Sequence, residues 1–149
     1  MSFGMVMPSR QVRRDLGWRR RGVVGAVAVT ARLGARLRPD RLRTVMTWLA
    51  AGSQPVQPEL AERLHREVMA VSLRCAGWRG CLPRSIAVAA LCRMGGAWPT
   101  WCVGVRRSPP FAAHAWVEAG GRLVGESGEP ADYRVLFTVG APSPAGAAR

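Results

Sequence analysis

The sequence contains no lysine. All 22 basic residues are arginine, against 9 acidic residues, which leaves a formal net charge of +13 on 149 residues. A GC-rich genome also produces arginine in place of lysine, so this bias alone is not evidence of selected guanidinium chemistry. Long apolar runs are missing as well. The longest falls far short of the roughly 20 residues of a spanning helix, which excludes an integral helical membrane protein. No two cysteines form a C-x-x-C pair: Cys75, Cys81, Cys92 and Cys102 are 6, 11 and 10 residues apart. Zinc sites usually bring ligands in close pairs, so structural zinc is not indicated. A disulfide framework is allowed by count, but a chain of this size folds without one. Free thiols and a cytoplasmic location are the simpler expectation. Arg19, Arg20 and Arg21 before Val23–Val29 give the outline of a signal peptide. The run is short, contains Gly25 and is followed at once by Arg32, Arg36 and Arg38, which argues against export.

Apolar residues make up 48% of the chain and charged ones 21%, enough to build one core and too little charge for global disorder. The positive excess draws acidic partners: nucleic acid, anionic lipid or an acidic peptide. The arginines are dispersed and the six tryptophans scattered, whereas a nucleic-acid binder more often interleaves a basic stripe with aromatics. Nucleic acid is therefore not the expected partner.

Residues 1–20 read as a flexible basic N-terminus. A helical N-terminal region follows over 21–57, with a helix from Gly22 to Leu37, a break at Pro39-Asp40 and a short helix from Arg41 to Ala50. The segment 58–139 reads as the core. Leu60, Leu64, Val68 and Val71 give a helix from Pro58 to Cys75, supported by the Glu62–Arg66 pair. After the turn Ala76-Gly77-Trp78-Arg79-Gly80, Cys81-Leu82-Pro83 opens a helix that stops at Gly95-Gly96. The period then changes to alternation, with strands at Thr100–Val105, Ala112–Glu118, Arg122–Glu126 and Tyr133–Val139. Residues 140–149, rich in Ala, Gly and Pro, read as a disordered tail. Helices followed by a small antiparallel sheet make an α+β fold.

Cys81 stands where a glycine turn enters a helix. Unpaired N–H groups there stabilise a thiolate and can receive the oxygen of a tetrahedral intermediate. Gly80 leaves room for a substrate backbone. The other reading of Cys81 is a buried inert thiol. Only two histidines can serve as base. His65, among charged neighbours, reads as a solvated surface residue. His114, in Phe111-Ala112-Ala113-His114-Ala115-Trp116-Val117, is a polar ring among alanines, either part of a site or a core histidine satisfied by backbone. A thiol–imidazole pair needs a third group to orient the ring. If the hairpin loop is Ala119-Gly120-Gly121, His114 faces Glu126 and the two can hydrogen-bond. If it is Gly120-Gly121 alone, Glu126 faces Ala115 and points the other way. The first register is preferred, because Gly121 suits the left-handed position of a three-residue loop. Glu129 and Asp132 are weaker candidates for the third group.

The block Cys81-Leu82-Pro83-Arg84-Ser85-Ile86-Ala87-Val88, then Val103-Gly104-Val105-Arg106, then Pro110–Glu118 resembles the lasso-peptide maturation protease, a transglutaminase-like leader peptidase. The likeness covers roughly residues 60–139, with a looser match in the helical N-terminal third. It implies a papain/transglutaminase-like core with Cys81 as nucleophile and His114 as general base. The family's third member is usually an Asp in the strand after the hairpin. Glu126 stands at the matching position, one methylene longer, and Asp132 is the fallback. Trp78, Arg84 and Phe111 are candidates for the substrate cleft. For Trp78 and Phe111 the alternative is core packing. For Arg84 it is cover over the sheet.

The resemblance also implies removal of an acidic leader from a ribosomally made precursor before a separate cyclase closes the macrolactam. A separate leader-recognition protein (RiPP recognition element) would deliver the substrate, since the chain is too short and too helical at its start to include that domain. The cyclase is a further candidate partner, and the chemistry requires no metal or cofactor. A different class of function stays open on the residues alone: a non-catalytic basic adaptor for nucleic acid or an acidic protein. So does acyl transfer to an amine in place of water.

Overall fold

The computed structural model describes residues 9–141. The expected tail falls outside them from residue 142 onward, as do residues 1–8. The segment read as loose carries helix α1 (Ser9–Asp15) and the beginning of α2 (Trp18–Gly34). Helix α3 (Pro39–Ala50) starts with Pro in its first turn and Asp40 just inside it, where an acid favours the helix dipole. Helix α4 spans Pro58–Val71 and stops short of Cys75. Ser72 is extended and caps a separate turn, α5 (Leu73–Ala76), by accepting the Cys75 N–H.

Helix α6 (Cys81–Met94) is the central element. Ser85, Ile86, Ala87, Val88, Ala89, Leu91 and Cys92 are all buried, so it is covered on most sides. Alanines at 87 and 89 let α2 and α4 approach on one side and the sheet on the other. A half-buried ion pair joins α2 to α4: Arg20 holds Glu67 at 2.8 Å. Behind α6, Gln54–Pro55 (β1) pairs in parallel with Ala97–Trp98 (β2).

The sheet holds β3 (Thr100–Arg106), β4 (Ala113–Ala119), β5 (Arg122–Leu123) and β6 (Tyr133–Val139), in the order β5-β4-β3-β6 and antiparallel throughout. The α+β expectation agrees with this architecture. Side chains alternate along β4. Val117 joins the main core with the helices, whereas Trp116 packs with Cys102, Leu123 and Tyr133 in a small second cluster. The sheet is tied to α6 by Trp101, whose indole N–H donates to Ser85 Oγ at 3.0 Å.

The hairpin overturns the preferred register. Ala119 pairs with Arg122 and Glu118 with Leu123, so the loop is Gly120-Gly121 alone. Both glycines have positive φ, +59° and +74°, the geometry of a two-residue turn whose twist matches the strands. The third strand is also cut to two residues. It does not continue to Glu126, because Gly125 (φ +69°) turns the chain out of the ladder.

Candidate active site

The first turn of α6, strand β4 and the loop after β5 meet in a cleft of about 720 Å³ that includes Cys81, Arg84, His114, Glu126 and Tyr133. Cys81 is the first residue of α6. The first intrahelical bond there runs from the Arg84 N–H to the Gly80 carbonyl at 2.9 Å. Pro83 has no N–H, which leaves those of Cys81 and Leu82 ahead of the ladder. Cys81 is half-buried, whereas Cys75, Cys92 and Cys102 are buried; all four are free. Burial pushes the Cys92 and Cys102 thiols up to about 12. Cys81 moves the other way, below the ordinary 9.0. The main cause is its hydrogen bond with His114, and burial opposes it; the Ala115 N–H and the charges of His114 and Arg84 add to the lowering.

His114 Nε2 lies 2.7 Å and 3.0 Å from the two carboxylate oxygens of Glu126, which leaves Nδ1 for the sulfur. The ring is pushed up from 6.5 to about 9, first by the Cys81 hydrogen bond and then by Glu126, against burial. Both shifts run toward the charged forms, thiolate on Cys81 and imidazolium on His114, with a carboxylate against the far ring nitrogen. Tyr133 stacks on the imidazole at 5.2 Å between centroids and Trp116 at 5.8 Å. Gly104 makes room for this stack: a Cβ there would lie 3.1 Å from Trp116 Cη2 and against the Arg134 carbonyl.

Glu126 reaches His114 although the register that predicted the pair is absent. The Val124 N–H still donates to the Val117 carbonyl at 3.0 Å, and Gly125 then swings the next residue back over the strand end. Helix α4 holds this turn. Glu62 accepts the Gly125 N–H at 3.2 Å, and His65 packs so closely on Gly125 that a Cβ there would overlap its ring. His65 is only 7% exposed, which corrects its reading as a surface residue. Burial, followed by the charge of Arg84, holds its pKa below 6.5. Asp132 is engaged elsewhere, accepting the Glu129 N–H at 2.9 Å.

The remaining sequence candidates separate. Arg84 donates to the Cys75 carbonyl at 2.9 Å and lies 3.8 Å from Glu126, so it braces the carboxylate as well as lining the cleft. Trp78 lines the cleft and is 87% exposed. Phe111 does not line it; it belongs to a neighbouring hollow with Arg107 and Arg134. Gly80 is needed for packing rather than substrate: a Cβ would strike the Arg74 and Cys75 carbonyls. The places of Tyr133, His65 and Glu62 around the site escaped the sequence reading. An isolated glycine inside a strand pattern, here Gly125, was the available signal of a close approach.

Residues 25–138 match the family model described as transglutaminase-like superfamily. No curated protein and no solved structure matches the chain. Among the described residues no helix is long and apolar enough to cross a membrane.

Proposed function

The chain belongs to the transglutaminase-like superfamily, and on that premise we propose that it is a cysteine peptidase. The observation that carries this reading is that His114, hydrogen-bonded to Glu126 at 2.7 Å, shares one cleft with Cys81 and is the main cause of its lowered pKa. The Cys81 thiolate attacks the scissile carbonyl carbon, and the N–H groups at the mouth of α6 face the developing oxyanion. The His114 imidazolium gives its proton to the leaving amine as the C–N bond breaks, leaving a thioester on Cys81. Water, deprotonated by His114, then attacks the thioester and releases the acid and the thiolate. Glu126 keeps the ring in place and stabilises its charged form.

The substrate in this proposal is a lasso-peptide precursor, cut to remove its leader before macrolactam formation. The blocks Cys81–Val88 and Pro110–Glu118 support that choice, as does a net charge of +13, which attracts an acidic leader. Mass spectrometry of precursor incubated with this protein and a leader-recognition protein tests it. Wild type should release the leader, and Cys81→Ala should lower the rate by at least about 10³-fold. An unchanged rate in Cys81→Ala would overturn the peptidase assignment. Cleavage of unrelated peptides but not of the precursor would overturn the substrate assignment alone.

A further inference from the structure

A second hollow, of about 430 Å³, lies beside the catalytic cleft and shares Trp78 and Arg79 with it. Gly80 and Pro83, which flank Cys81, form its near wall. Four arginines converge on it: Arg32 from the last turn of α2, Arg36 just past its end, and Arg74 and Arg79 from α5 and the following turn. None has a carboxylate within ion-pair distance among the described residues. The carbonyl end of α2 accounts for a cation at Arg32. It does not account for like charges arriving from a second element, which repel one another unless an anion lies between them. Between the arginines lies apolar surface, Val29 and Leu33, the latter 59% exposed, and Arg79 covers the Trp78 ring at 5.0 Å.

We infer that this hollow is a subsite for an acidic stretch of the polypeptide whose scissile bond lies at Cys81, taking carboxylate side chains on the arginines and an apolar side chain on Leu33. The inference rests on the peptidase reading and adds a specificity element to it. Continuity with the cleft favours a peptide, since one extended chain can occupy both hollows within a few residues of the nucleophile. The apolar strip and the single exposed ring also suit alternating peptide side chains better than a run of stacked bases. Arginine suits the task because its planar fork grips carboxylates with paired hydrogen bonds.

Fluorescence anisotropy on the full-length Cys81→Ala protein tests the subsite without turnover. The probes are a labelled Glu-rich peptide containing Leu, its Gln-for-Glu twin, and single-stranded DNA of matching charge. The acidic peptide should bind about tenfold or more tightly than its twin, as several charge-assisted contacts imply. Arg32→Gln/Arg36→Gln should reduce that preference to about threefold or less, and so should the exposed pair Arg36→Gln/Arg79→Gln. Arg63→Gln/Arg66→Gln, which removes the same charge from exposed positions on α4, should leave it intact. Equal binding of the twins, no binding of either, or the same loss in the α4 control would overturn the subsite. So would DNA binding more tightly than the peptide through the same arginines. If the charge preference holds while the wild type cuts neither the precursor nor unrelated peptides, the peptidase reading fails and the hollow stands as an acidic-peptide site.

Discussion

The two histidines flank one turn of chain and behave in opposite ways. His114 faces the cleft, hydrogen-bonded to the carboxylate of Glu126, and its pKa is raised to about 9 by Cys81 and by that carboxylate. His65 lies on the α4 side, buried against Gly125, and its pKa is lowered. The difference comes from partners rather than residue type. An imidazole given an anion on either nitrogen holds its proton, and one packed in a dry contact beside an arginine loses it. His114 is placed to exchange protons, whereas His65 acts through position, as part of the wall that sends Glu126 toward the cleft.

Removing the charge from the shared turn should have the largest effect. Glu126→Gln is expected to lower kcat/KM by about 10²-fold or more, because the imidazolium loses its counter-ion. In wild type, the thiolate–imidazolium pair exists above the lowered Cys81 pKa and disappears as pH rises through about 9. With Glu126 neutral, the alkaline limb of the pH–rate profile should move below 9. It should stay above 6.5, because the Cys81 contact is the larger cause of the His114 shift. A limb that does not move would separate Glu126 from the titration.

An intermediate effect is expected from Gly125→Ala. The new Cβ overlaps the His65 ring and the position needs φ +69°, so a loss of about 2 kcal/mol is expected, visible as a lower Tm. Activity should fall with it, since the same turn places Glu126. A Tm and rate like wild type would show that α4 does not hold the turn.

The smallest effect should come from His65→Phe, with a rate within about tenfold of wild type and an unchanged pH–rate profile, as befits a neutral wall residue. Its signature lies in stability. The folded pKa of His65 is below its unfolded value of 6.5, so its contribution is fully present above 6.5 and is lost as pH falls. Wild type should therefore lose Tm on acidification more steeply than His65→Phe. Identical acid-side curves would remove the contrast between the two histidines.

Much of the fold was legible in the chain. The breaks at Pro39, Pro58 and Gly95-Gly96 mark real helix boundaries, and the change from helical to alternating period falls where β3 begins. Cys81 at a helix start and His114 within a strand were legible for the same local reason, since caps and alternation are written in neighbouring residues. The path of Glu126 was not. The sequence reading joined it to His114 through a three-residue hairpin loop, whereas the structure joins them through a two-residue loop and a turn at Gly125. The burial of His65 and the position of Phe111 outside the cleft were likewise not legible, because both depend on elements that arrive from elsewhere.

The amino-acid sequence by itself determined the order of the main elements, the cysteine at the mouth of α6 and the large positive charge, all of which follow from local spacing and composition. Only tertiary structure decided which carboxylate meets the imidazole, which histidine is buried and where four arginines gather with no carboxylate beside them among the described residues. Those outcomes depend on contacts between segments tens of residues apart, and local pattern carries no information about which surface will close over which.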